Sequence, residues 1–137
     1  MPLLYYPSAG EIVACHYGEA VLEPEMRKTR PVVVVGPRLR RRGRLVTVVP
    51  LSTTAPDPAE DYHCQIELAQ PLPAPFDSAM MWAKCDMVSS VSLDRLDRFK
   101  DPRHRYGGAR QWRTGRVTPV QLEAIRAAVL AGLGFRP

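Results

Sequence analysis

The sequence predicts a mainly β chain that folds as a small barrel or curled sheet with one helix packed against it. Three observations predict this. Short runs rich in β-branched residues are separated by proline and glycine. One late segment has helical spacing behind a capping signal. No internal repeat and no linker divides the 137 residues, so 1–137 reads as a single domain large enough to bury a core.

The elements follow in chain order. Gly10-Glu11-Ile12-Val13-Ala14-Cys15-His16-Tyr17 reads as a first strand, and Glu19 to Thr29 as a polar segment broken at Pro24. Pro31-Val32-Val33-Val34-Val35 is β-branched and apolar throughout, as a strand covered on both faces should be. Gly36-Pro37 ends it. A basic loop, Arg38 to Arg44, leads into Leu45-Val46-Thr47-Val48-Val49-Pro50-Leu51, a strand whose proline is expected to mark its end. Ser52 to Pro58 is turn-like. Tyr62 to Leu68 alternates as a half-exposed strand does, and Pro71, Pro73 and Pro75 form a stiff connector. Ser78 to Val91 reads as one long or two short strands, Asp94 to Phe99 as a helical turn. A basic insert at about 100–116 reads as a long loop or irregular hairpin. Thr118-Pro119-Val120-Gln121 is a capping-box pattern with proline at the first helical position. Val117 is placed to staple against Leu122. Leu122, Ile125, Val129 and Leu133 share one helical face, and Gly132 and Gly134 supply stop signals.

Composition bounds the function. Apolar residues are 45% and charged residues 24%, as in an ordinary globular chain. Nineteen basic against 14 acidic residues give +5 and a pI near 9.4, a balance that favours polyanions such as nucleic acid. No apolar run approaches the roughly 20 residues of a membrane span, and the N-terminus lacks an export signal. A cytoplasmic protein without a membrane partner is expected. Three cysteines, Cys15, Cys64 and Cys85, argue against a disulfide framework and for a reducing compartment. Cys15-His16, His63-Cys64 and Cys85 do not have metal-ligand spacing. Adjacent strand residues face opposite ways, so each pair offers one ligand, and neither metal nor cofactor is expected.

Gly10-Glu11-Ile12-Val13, then Glu25 followed by Arg30-Pro31 and the valine strand, then Pro50-Leu51-Ser52-Thr53, and finally Lys84-Cys85-Asp86 leading into Val91-Ser92-Leu93-Asp94-Arg95-Leu96 make an ordered set. In this order they resemble the MazF/PemK family of toxin endoribonucleases from type II toxin–antitoxin pairs. The resemblance spans roughly residues 10 to 99 and 118 to 133. It implies an SH3-like small barrel of about five to seven strands with the C-terminal helix packed on it, a homodimer, and an antitoxin partner that neutralises the toxin. It also implies metal-independent cleavage of single-stranded RNA, in which the ribose 2′-OH attacks the neighbouring phosphorus and leaves a cyclic phosphate and a 5′-OH.

Such chemistry needs a proton acceptor, a proton donor and positive donors for the phosphorane charge. Arg30 matches the family's arginine before proline, whose fork grips two phosphoryl oxygens and stays charged. Ser52 stands where the family has Thr or Ser at a strand end, with Thr53 beside it as backup. Lys84-Cys85-Asp86 matches an Arg-Cys-Asp segment credited with acid–base roles. Two residues apart on a strand, Lys84 and Asp86 would share a face. The resemblance extends RNA binding to Glu25, Lys28 and Thr53, and the loop arginines Arg38, Arg40, Arg41, Arg42 and Arg44 add electrostatic attraction for RNA. Lys28 stands where the family usually has glycine, and Lys84 replaces an arginine.

Each residue also has a structural alternative. Arg30 could pair with Glu25, Ser52 could satisfy a turn, and Lys84 with Asp86 could form a salt bridge worth under about 1 kcal/mol. The loop arginines could be a solvated hairpin tip. Tyr106 and Trp112, with Arg103, Arg105, Arg110 and Arg113 nearby, could stack bases or lie under their own loop. Two further functions fit the same barrel: a catalytically decayed nucleic-acid-binding module, and a protein-directed toxin such as a gyrase poison.

Overall fold

The structure, a computed structural model, describes residues 3–18, 28–106 and 109–135. The strands are β1 (Glu11–His16), β2 (Thr29–Val34), β3 (Leu45–Ser52), β4 (His63–Glu67), β5 (Met80–Lys84), β6 (Ser89–Ser92), β7 (Leu96–Asp97), β8 (Phe99–Tyr106), β9 (Ala109–Arg113) and β10 (Gly115–Arg116). The helix α1 spans Pro119–Gly132. Eight strands form an antiparallel sheet of order β10-β1-β2-β3-β5-β4, with β6 added beside β3 and β7 beside β1, while β8 and β9 form a separate hairpin.

The valine run is apolar on both sides because it serves two cores. Val33 and Val35 join Ile12, Ala14, Val49 and Leu51 in the larger core, which α1 closes with Ile125 and Ala128. Val32 and Val34 point the other way with Val13, Cys15, Val46 and Val48, under Leu3, Leu93 and Leu96. Alternation along β2 thus feeds apolar side chains to both faces.

Pro50 does not end β3 as expected; the strand continues to Ser52. On one edge β3 pairs with β6 from Leu45 to Val48 and then with β5 at Leu51 and Ser52. Pro50 lies in the gap between these partners, where its missing N–H interrupts no ladder on that edge. Of the two readings of Ser78–Val91, the structure has two short strands, β5 and β6, separated by a 3-10 turn at Cys85–Met87. The helical turn expected over Asp94–Phe99 is confined to a 3-10 turn at Leu93–Arg95, whose Asp94 N–H donates to Ser92 Oγ at 3.2 Å. Leu96 and Asp97 are instead drawn into strand β7 by pairing with Cys15 and Ala14, and β8 begins at Phe99. The insert after Lys100 is an irregular hairpin with a register shift between Asp101 and Arg105.

The helix has the expected capping box: Thr118 Oγ1 accepts from the Gln121 N–H at 3.1 Å and Gln121 Oε1 from the Thr118 N–H at 2.9 Å. Gln121 also donates to the Glu67 carbonyl at 2.8 Å, tying the helix start to β4. Val117 is buried and Leu122 packs on the larger core. Leu133, expected on the buried face, is 60% exposed. The helix stops at Gly132 and Gly134 adopts φ 88°, so Leu133 falls beyond the last turn that reaches the core.

Candidate active site

The ends of two neighbouring strands bring the two principal candidates together. Val32 faces Pro50 and Val33 faces Val49 across β2 and β3, and the recorded pairing stops there, two residues short of Arg30 and Ser52. Cys15 flanks Arg30 on β1, Trp82 flanks Ser52 on β5, and Gln65 follows on β4. Ser52, Trp82 and Gln65 make one cross-strand row, because directly opposed strand residues share a face. Arg30, Ser52 and Thr53 line a pocket of about 230 Å³ whose remaining wall is Pro31, Leu51, Met81, Pro75 and Phe76. That is smaller than the roughly 300–1,000 Å³ of pockets that enclose a drug-sized ligand, and suits one segment of a longer chain.

Arg30 is exposed, and among the described residues its guanidinium has no hydrogen bond or ion pair. Ser52 Oγ accepts from the Thr54 N–H at 3.1 Å, while the Thr54 carbonyl lies 3.4 Å away, a long contact for the hydroxyl proton. The serine is therefore engaged in the Thr54 turn as an acceptor and, through a longer bond, as a donor. Thr53 is exposed at the same mouth. Glu25 lies outside the described residues. Lys28 adopts φ 66°, with its N–H donating to Gly18 O at 3.3 Å and its carbonyl accepting from Tyr17 N–H at 3.0 Å. The chain turns left-handed two residues before Arg30, a conformation that favours glycine, the residue that the family resemblance implies at this position.

Lys84 and Asp86 are not presented as an alternating strand pair. Lys84 is the last residue of β5, half-buried opposite His63. The strand ends there, and Asp86 belongs to the following 3-10 turn. A Cβ built on Gly132 of α1 would lie 3.4 Å from Asp86 Cα, so the Asp86 backbone sits against the helix end, and neither residue lines the pocket. Lys84 does share a strand face with Trp82, and through it with Ser52.

The loop arginines divide. Arg38 lies over the Tyr6 ring at 5.2 Å, and Arg44 is ion-paired with Asp94. Arg40, Arg41 and Arg42 are exposed, and among the described residues their side chains have no partner. In the hairpin, the side chains of Arg103, Arg105, Tyr106 and Arg110 lie outside the described residues, whereas Trp112 is 40% exposed.

Among the described residues no group of three or more His, Cys, Asp or Glu side chains could hold a metal ion. All three cysteines are free. Burial pushes the Cys15 thiol up to about 11 and the Cys85 thiol up to about 12, so both stay protonated and unreactive near neutral pH. The sequence reading missed Trp82, Met81, Pro75 and Phe76 as neighbours of the site. Alternation in Met80–Lys84 signals which residues turn inward, but only the β3–β5 register places Trp82 beside Ser52.

The fold and the matched segments agree with known proteins. PemK-like, MazF-like toxins of type II toxin–antitoxin systems match residues 8–131 as a family. The uncharacterised protein YifN of Escherichia coli K12 is 31% identical over 118 residues, covering 73% of this chain and 78% of that protein. An endoribonuclease from a Mycobacterial species, solved with its cognate antitoxin, superposes with a TM-score of 0.63 at 20% identity, over 95% of this chain and 97% of that one. MazF of Deinococcus radiodurans superposes at 0.64 with 17% identity, over 96% and 99% of the two chains. These two show the shared mainly β fold with one C-terminal helix. No helix among the described residues is long and apolar enough to cross a membrane. With the family match running from just before β1 to the end of α1, the chain belongs to the PemK-like, MazF-like toxins of type II toxin–antitoxin systems.

Proposed function

We propose that this chain is an endoribonuclease that cleaves single-stranded RNA without a metal ion and is neutralised by an antitoxin. The observation that carries the proposal is the meeting of Arg30, Ser52 and Thr53 in one pocket at the ends of β2 and β3. A phosphodiester seated there would have its non-bridging oxygens against the open Arg30 fork, and Ser52 Oγ would turn its proton from the Thr54 carbonyl, 3.4 Å away, to one of them. Both contacts strengthen as the 2′-oxygen attacks and charge builds on the phosphorane. The 2′-OH proton must leave to a base, and the 5′-oxygen must receive one. Lys84, on the Trp82 face of β5, and Asp86, in the turn behind it, are the candidates for those transfers.

Support comes from family membership and from endoribonucleases among the similar structures. A neutralising antitoxin fits the complex seen for one of those structures, and a homodimer follows from the resemblance. Incubation of purified protein with long unstructured RNA in EDTA should give fragments with cyclic-phosphate and 5′-OH ends. Arg30→Ala should lower the rate on the order of 10²-fold or more while leaving the fold intact. Full activity in Arg30→Ala would remove the mechanism. A second reading is favoured by one observation: Asp86 stands outside the pocket, so no acid–base pair is assembled around Arg30 among the described residues. In that reading the barrel binds RNA, with strong salt dependence, and cuts nothing.

A further inference from the structure

The hairpin β8–β9 carries an exposed aromatic surface that the pocket chemistry does not use. Phe99 faces Arg113, Lys100 faces Trp112, and Asp101 faces Gln111. Alternation sends Phe99 and Asp101 inward, where both are buried, and leaves Lys100 and Trp112 outward. The Lys100 ammonium and the Arg98 guanidinium each lie 5.6 Å from the Trp112 ring centroid. Both lie over the ring within cation–π range, so an incoming base would displace at least one of them from a ring face; the ring remains 40% exposed. One exposed ring and two cations thus share one surface.

The same hairpin is fixed to the wall of the Arg30 pocket. Arg113 donates to Asp101 at 2.9 Å and to the Pro71 carbonyl at 2.6 Å, at one end of the proline connector. At the other end Phe76, which lines the pocket, meets Phe99 edge-on with centroids 6.0 Å apart. The aromatic patch is held at a set position relative to the pocket by contacts on both strands of the hairpin.

We infer that Trp112, with Lys100 and Arg98, is a stacking platform for an unpaired base of the same single-stranded RNA, away from the cut site. A ring flanked by cations suits a ligand with a flat π-face and an adjacent negative charge, which every nucleotide supplies and a peptide supplies only in special sequences. The base would stack on Trp112 while Lys100 and Arg98 take its phosphates. This inference rests on the proposed RNA-directed function but concerns a different surface.

The test compares wild type, Trp112→Ala and Trp112→Phe on a short oligonucleotide that fills only the pocket and on a long unstructured RNA. Trp112→Ala should raise KM for the long RNA about tenfold, the size of a lost base–aromatic stack, with kcat unchanged. The short substrate should be cut as by wild type, and Trp112→Phe should recover most of the loss. Equal effects on both substrates, or none on either, would overturn the platform. If wild type cuts neither RNA, cleavage fails as a function, and the platform is read from direct binding of the long RNA: weakened by Trp112→Ala, it stands; unchanged, it falls. Loss of antitoxin binding in Trp112→Ala with RNA binding intact would assign the patch to a protein and overturn the inference.

Discussion

Six arginines lie on or between β2 and β3, and the molecule uses them in different ways. Arg30 is delivered by a strand whose register with β1 and β3 fixes its backbone, so its whole donor set is open at a defined point. Arg38 and Arg44, at the two stems of the following loop, are engaged by Tyr6 and Asp94. Arg40, Arg41 and Arg42 form the loop tip, where nothing among the described residues orients them. The same side chain is therefore an open guanidinium at a pocket on the strand, a brace at the stems and a source of positive field at the tip. Charge count alone cannot separate these uses; backbone rigidity and partnership do.

Substitutions can break or sharpen that division. The largest effect is expected for Arg30→Ala, which should abolish cleavage with little change in the thermal midpoint, because no described bond is lost. A large drop in midpoint would instead make Arg30 a brace. Replacing Arg40, Arg41 and Arg42 together with Gln should weaken RNA binding and reduce the slope of log affinity against log salt by up to about 2, at roughly 0.7 per phosphate contact. An unchanged slope would place the tip outside the RNA path. Ser52→Ala should slow cleavage about tenfold, the loss of one directed hydrogen bond worth about 1–1.5 kcal/mol; equal rates would leave the serine as a turn acceptor only. Lys28→Gly should raise stability by up to about 1 kcal/mol, a few degrees in midpoint, by relieving a left-handed lysine. The smallest effect belongs to the brace: Arg44→Ala or Asp94→Ala should cost less than about 1 kcal/mol, since both groups are well exposed.

The start of the helix was legible, because Thr118, Pro119 and Gln121 act on their own backbone and need no distant partner; its end was not, since Leu133 falls past the last turn that meets the core. The valine strand was legible for a similar reason, since β-branched apolar residues on both faces demand two cores. What failed depended on a neighbour. Pro50 looks like a terminator until β3 is known to exchange β6 for β5 along one edge. Lys84 and Asp86 look like one face until the strand is seen to stop between them, where Cys85 turns into the larger core. Trp82 carries no local mark at all; its place beside Ser52 exists only in the pairing. Arg30 and Ser52 entered through the order of family motifs, and their meeting in one pocket is a fact of the fold that no segment contains.

The exchange of partners along β3 has a mechanical consequence. The leaf formed by β4 and β5 is joined to β3 through only two paired positions, Leu51–Ala83 and Ser52–Trp82. Both lie at the mouth of the Arg30 pocket, just past a residue that cannot donate to either neighbour. The aperture of the pocket and the seam of the barrel are therefore one coordinate. A change in the spacing of β3 and β5 alters the width of the pocket that Arg30 lines without moving Arg30's own strand.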